Sequence, residues 1–143
     1  VNDAPVTDYA SGDKTLEVFQ YPHPALRRPN AEVTEFGSEL KQLVKNLFET
    51  MYASNKGCGL AAPQCGVNLR VLVYNPLFDL SAETVGRPSF DLSGEVALIN
   101  PRITESSSEE NFLKEECLSF PGMLAPVIRP QWVEIEAFDV NGQ

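Results

Sequence analysis

Residues 57–66 read GCGLAAPQCG, the run of small residues on which the fold assignment depends. Three glycines and two alanines in ten positions let the backbone approach another chain or a ligand closely. The run lacks the GK[ST] ending of a phosphate loop and has no GxGxxG spacing. Gln64 offers both an amide donor and a carbonyl acceptor at its end. From the residues alone, two interpretations stay open: a glycine-rich bend leading into a strand at residue 69, and a site of close backbone approach to a ligand.

A second segment, residues 115–122, reads EECLSFPG and places a cysteine between two carboxylates and a turn. Cys117 has three interpretations: a metal ligand, a nucleophile or a buried structural thiol. Adjacent carboxylates raise the pKa of a thiol, which argues against an activated nucleophile. A bound metal would reverse that effect by deprotonating the sulfur. The residues alone leave the ligand and the structural thiol open.

Between residues 1–14 and the glycine-rich run at 57–66, apolar residues recur at three- and four-residue spacing. This period predicts an amphipathic helix over about 38–54, with Ser38 as its N-cap and an end near Asn55. The apolar stripe consists of Leu40, Leu43, Val44, Leu47, Phe48, Met51 and Tyr52.

Beyond residue 66 the pattern changes to short runs rich in β-branched and aromatic residues, bounded by Pro, Gly and Asn. These runs predict strands at 69–75, 95–101 and 131–140. Residues 77–94 are predicted to form a loop, and 104–111 a polar connection. One helix followed by several strands indicates the α+β class.

Length, charge and cysteine count narrow the class of protein. The 143 residues are enough for one domain; we expect 1–14 to be a flexible arm and 15–143 to form the domain. The net charge of −9 would repel phosphate backbones, so direct nucleic-acid binding is not expected. No apolar run is long enough for a membrane span. Three cysteines do not make a disulfide framework, which favours a reducing compartment.

The two chemistry-bearing segments together resemble the first two motifs of the peptide deformylases: GxGLAAPQxG, followed about fifty residues later by ECLSFPG. YPHPALRRP at 21–29, LINP at 98–101 and VIRP at 127–130 are similar to that family too, and closest to its plant-organelle and bacterial branches. The resemblance implies a peptide-deformylase-like α+β fold, with one amphipathic helix packed on antiparallel β-sheets.

The same resemblance implies a metal-dependent hydrolase. Members of the family hold Fe²⁺, often replaced by Zn²⁺ or Ni²⁺, through a cysteine that corresponds to Cys117 and two histidines of an HExxH helix. The metal-bound hydroxide attacks the formyl carbon. The side chain of Gln64 and the backbone N–H of Leu118 would stabilise the oxyanion. Gly59 would lie against the substrate peptide, and Glu115 near the pocket for its methionine side chain.

The sequence departs from the family pattern at several positions. HExxH does not occur in residues 1–143, and the single histidine, His23, lies in a predicted turn. The chain as given is therefore expected to lack the C-terminal metal-binding helix, to be inactive alone and to expose apolar surface. Glu116 stands where the family almost always has glycine. Cys58 and Cys65 stand at positions that are usually aliphatic, and both are predicted to be small buried residues.

Two functional hypotheses follow. One is a peptide deformylase that acts on N-formylmethionyl nascent peptides, in a plastid or mitochondrion by branch resemblance, or alternatively in a bacterial cytoplasm. The other is a catalytically inactive, deformylase-derived subunit of a larger complex. A cysteine-based redox or metal module is disfavoured because CxxC spacing is absent.

Overall fold

A computed structural model of the chain describes residues 4–54, 58–78 and 92–143. Three sequence predictions extend outside these residues: the first three residues of the arm, the helix end near Asn55, and most of the loop at 77–94.

The predicted amphipathic helix is confirmed as α1, Ser38–Ser54. Its apolar stripe faces the protein interior, and Leu43, Leu47 and Met51 are almost fully buried. Ser38 is the first helical residue and not the N-cap as predicted. The Lys41 N–H donates to the Gly37 carbonyl (3.2 Å), which puts Gly37 in the cap position.

Four antiparallel strands form the main sheet in the order β1-β2-β3-β6. Their bounds are β1 Gly59–Ala61, β2 Val71–Tyr74, β3 Val96–Ser106 and β6 Val133–Phe138. The predicted strands at 69–75, 95–101 and 131–140 correspond to β2, β3 and β6. The α+β class, with one long helix packed on antiparallel sheets, is confirmed.

The polar connection predicted at 104–111 is wrong for most of its length. β3 runs to Ser106 and the next strand, β4 (Glu110–Cys117), begins at Glu110, so only 107–109 form the turn. The Ser107 N–H donates to the Trp132 carbonyl (2.9 Å) and holds this turn beside β6. The ends of both strands are exposed on both faces, so they lack the alternation that identifies a half-buried strand.

β4 pairs with β5 (Phe120–Pro130) in a separate antiparallel hairpin, which the sequence analysis did not predict. Only Glu115 and Val127 of its strands are half-buried, and the rest are exposed. β5 also contains three prolines, which cannot donate to a ladder and argue against a strand in sequence. The EECLSFPG motif forms the end of β4, the turn and the start of β5, so Cys117 lies at the tip of the hairpin.

The core lies between α1 and the inner face of the main sheet. Leu47 and Met51 of the helix meet a cluster that includes Val73 of β2 and Ile99 of β3, all with no exposed surface. Burial of each such side chain contributes about 1.5–3 kcal/mol to stability. This packing holds β1 and β2 against the helix.

The N-terminal segment lies along α1. The buried side-chain amide of Asn46 donates to the carbonyls of Tyr9 (2.8 Å) and Gly12 (2.9 Å), and its oxygen accepts from the Lys14 N–H (3.1 Å). Val6 and Tyr9 pack against the core cluster. The described part of the predicted arm, residues 4–14, therefore makes contacts with α1 and the core.

Apolar side chains are exposed on the hairpin and on the adjoining ends of β3 and β6, as the sequence analysis expected. Phe112 is 66% exposed and Ile103 is 63% exposed. The others on these strands are Leu113, Phe120, Met123, Leu124, Ile128, Val133, Ile135 and Phe138. In the described ranges no helix has the length and apolar character that would let it cross a membrane.

Candidate active site

Within the GCGLAAPQCG segment, the described residues form strand β1, a 3₁₀ turn at Ala62–Cys65, and a left-handed Gly66 (φ +78°). A Cβ on Gly66 would lie 2.4 Å from Cε2 of Phe19 and 2.7 Å from Cγ2 of Val6. Glycine is therefore required there by both backbone and packing. At Gly59, in contrast, a Cβ would meet nothing closer than 3.7 Å, so the described residues give no steric reason for that glycine.

The orientation of the Gln64 amide follows from its hydrogen bonds. Its Oε1 accepts from the Ala61 N–H (2.9 Å), and a backbone N–H can bond only to the oxygen of the amide. Nε2 therefore points the other way and donates toward Cys117 Sγ (3.5 Å) and Ser119 Oγ (3.3 Å). The two motifs, 53 residues apart in sequence, meet at this amide.

The turn between β4 and β5 is held by residues near the start of the chain. Ser119 is buried, and its carbonyl accepts from the Tyr21 N–H (2.8 Å). The Phe19 N–H donates to the Gln64 carbonyl (2.7 Å). Leu118 packs against the core cluster. Ser119 was not singled out from the sequence, although it lies inside the LSFPG motif beside the residues that were.

The three cysteines differ in exposure. Cys65 is buried, as predicted, and burial raises the pKa of its thiol to about 12, so it stays protonated and unreactive near neutral pH. Cys58 was also predicted to be buried but is exposed. It precedes the edge strand β1, where its carbonyl accepts from the Asn75 N–H (2.9 Å). Cys117 is exposed and reduced.

Glu115 forms a two-pronged ion pair with Arg129. Both carboxylate oxygens accept from the guanidinium, one from Nε and the other from Nη2 at 2.6 Å. The Arg129 hydrogen bonds hold the pKa of the Glu115 carboxyl below its usual value, so this carboxylate is ionised at neutral pH. Arg129 was missed in the sequence because nothing local relates it to Glu115, 14 residues away.

The described residues do not by themselves fit a metal centre. Within residues 4–54, 58–78 and 92–143 no three His, Cys, Asp or Glu side chains cluster in a way that could hold a metal ion. The family resemblance implies one cysteine and two histidines as metal ligands, and of these the described residues contain only the cysteine, Cys117. His23 lies in a turn, as predicted. Its Nδ1 accepts from the Ala25 N–H (3.1 Å), and its ring stacks on Phe19 with centroids 4.0 Å apart.

Comparison with known families agrees with this architecture. Residues 15–143 match the model of the family described as polypeptide deformylase. The chain belongs to the peptide deformylase family.

Among its curated relatives are peptide deformylase 1B, chloroplastic/mitochondrial, of Arabidopsis thaliana and the peptide deformylase of a Wolbachia strain. They are 40% and 38% identical to it, each over 90% of the chain. The chain spans 43% of the plant protein and 70% of the bacterial one.

Solved structures of the family share the fold. The Arabidopsis thaliana enzyme 1B in complex with an inhibitor is 40% identical, with a TM-score of 0.74 over 90% of this chain and 65% of that one. The Plasmodium falciparum enzyme is 39% identical, with a TM-score of 0.78 over 89% of this chain and 68% of that one.

Proposed function

We propose that the protein is a peptide deformylase that hydrolyses the N-formyl group from the formylmethionine of nascent polypeptides. The observation that carries the proposal is the contact between the amide of Gln64 and the thiol of Cys117. It brings the two family motifs into one site, with a hydrogen-bond donor of fixed orientation directed at the sulfur.

In the proposed reaction, Gln64 Nε2 and the backbone N–H of Leu118 stabilise the negative charge that develops on the formyl oxygen. A donor is most effective when it is already oriented before the reaction, because no reorganisation is needed as charge develops. The Ala61 N–H supplies that orientation by holding Oε1 of Gln64.

Two further residues would position the substrate. Gly59 lies on the edge strand β1, whose only partner in the described sheet is β2, and a peptide chain can approach closely there. Glu115, held by Arg129, would border the pocket for the methionine side chain.

Cys117 would supply one ligand to Fe²⁺, or to Zn²⁺ or Ni²⁺ as substitutes. In this family such a metal activates the water that attacks the formyl carbon. Two more ligands would have to come from outside the described residues, because no three His, Cys, Asp or Glu side chains cluster within them.

The substrates and the compartment belong to the proposal as well. Formylated nascent polypeptides are the substrate class, with a plastid or mitochondrion as the compartment and a bacterial cytoplasm as the alternative. Support comes from the plant relatives described as chloroplastic and from the bacterial relatives of similar identity.

A second candidate is a catalytically inactive deformylase-derived subunit of a larger complex. It is favoured by Glu116 beside Cys117 and by the exposed apolar strands, which a partner would cover.

The deciding experiment loads the full-length protein with Fe²⁺ under nitrogen and measures both bound metal and formate release from formyl-Met-Ala-Ser. About one metal per chain and steady turnover are expected, and the variant Cys117→Ala should lose both. Cys58→Ala, which removes another exposed thiol, is the matched control. No turnover and no retained metal in the unaltered protein would overturn the proposal in favour of the inactive subunit.

A further inference from the structure

Glu116 lies at an irregular point of the β4–β5 hairpin. Glu115 pairs with Ala125 but Cys117 pairs with Phe120, so the register shifts across Glu116. Four residues of β5, 121–124, stand opposite this one residue. The Glu116 side chain is exposed, and its neighbour Cys117 is the residue that meets Gln64.

The charge of Glu116 is not neutralised by an ion pair in the part of the chain that the structure describes. Its neighbour Glu115 is neutralised by Arg129. Lys114 lies on the same face of the strand, about 7 Å further along, and makes no ion pair with it among the described contacts. The tip of the hairpin therefore presents, next to Cys117, a carboxylate that makes no ion pair among the described residues.

A formylated peptide whose first carbonyl lies at Cys117 and Gln64 must place its next residues within a few residue lengths of Glu116. Adjacent Cα atoms are about 3.8 Å apart, and charges interact over about 8 Å at physiological ionic strength. The second residue of such a peptide, and a long basic side chain on its third residue, can therefore come within the range of this carboxylate's charge.

We propose that Glu116 is a specificity-determining residue that makes the site prefer formylated peptides with a basic residue soon after the methionine. The inference rests on the proposed deformylase function. We expect kcat/KM for a lysine peptide to exceed that for a glutamate peptide by about threefold to tenfold at low salt, and the ratio to fall toward one as salt screens the charge.

The test compares formyl-Met-Ala-Lys, formyl-Met-Ala-Gln and formyl-Met-Ala-Glu with the metal-loaded full-length protein in about 20 mM and about 500 mM salt. The variants E116Q and E116G should bring the lysine-to-glutamate ratio close to one. Glu110→Gln is the matched control. It removes the same charge from an exposed position of β4 about 20 Å away, and it should leave the ratio unchanged.

A second readout does not depend on catalysis. Calorimetric binding of acetyl-Met-Ala-Lys and acetyl-Met-Ala-Glu to the same proteins should show the same preference and the same loss in E116Q. If no formyl peptide is hydrolysed, the proposed function fails, and the binding ratio still decides the role of Glu116. A ratio that is equal in the unaltered protein and E116Q, or no measurable binding of either acetyl peptide, would overturn the inference.

Discussion

The side-chain nitrogen of Gln64 lies 3.5 Å from the sulfur of Cys117, although 53 residues separate them. One end of the amide is held by the Ala61 N–H and the other reaches the tip of the β4–β5 hairpin. The amide therefore joins the two sheets at the site. The oxygen of the amide accepts one hydrogen bond and the nitrogen donates the other, so a mutation can change one role and keep the other.

Gln64→Glu should keep the acceptor for the Ala61 N–H and replace the donor that faces Cys117 with a carboxylate oxygen. With that donor lost, kcat should fall by about a hundredfold to a thousandfold while KM changes little. Steady-state formate release measures both constants. Gln131→Glu makes the same charge change in an exposed turn and should have no effect. A raised KM at unchanged kcat would instead assign Gln64 to substrate binding.

The ion pair of Glu115 and Arg129 should make stability depend on pH. Because Arg129 lowers the pKa of Glu115 in the folded chain, its contribution is fully present above the ordinary carboxyl pKa of about 4.3. It is lost as the pH falls through the lower folded value.

The expected result is a fall in the urea midpoint between pH 6 and pH 3 that is steeper in the unaltered protein than in Arg129→Gln. Lys41→Gln, which removes a positive charge from an exposed position of α1, should retain the steep fall. Equal slopes in the unaltered protein and Arg129→Gln would contradict the assignment.

The two glycines of the first motif should respond differently to alanine. Gly66→Ala should destabilise the protein by about 2–4 kcal/mol, since it combines a left-handed backbone with a clash against Phe19. Gly59→Ala should change the unfolding free energy by less than about 1 kcal/mol, because its Cβ would make only ordinary van der Waals contacts, at 3.7 Å. It should nevertheless lower kcat/KM if a peptide lies against β1. Chemical denaturation measures the first two effects, and similar losses in both variants would refute the distinction.

Alkylation should separate the buried thiol from an exposed one. At pH 8 iodoacetamide should modify Cys58 in the native protein and spare Cys65, because burial raises the Cys65 pKa to about 12 and blocks access. Cys65 should react once urea unfolds the chain. Peptide mass spectrometry identifies the modified residue. Reaction of Cys65 at the rate of Cys58 in the folded state would show that its burial is not maintained.

The sequence by itself determined the elements whose apolar residues form a local pattern, namely α1, β2, β3 and β6. α1 could be predicted because its apolar residues follow the period of a helix, and β2 because it is a β-branched apolar run at the core. The two motifs also identified the family and named Gln64 and Cys117 before any coordinates. Each of these features depends on residues that are close together in the sequence, so it can be identified from a short stretch of the chain.

Only the tertiary structure decided the rest. The β4–β5 hairpin is exposed on both faces. Its strands show no regular alternation of apolar and polar residues, and β5 contains three prolines, so the sequence did not predict them. The contact of Gln64 with Ser119, the pairing of Glu115 with Arg129 and the exposure of Cys58 all depend on which strands become neighbours. Strand pairing is set by packing between distant segments, so it cannot be predicted from a local pattern of residues.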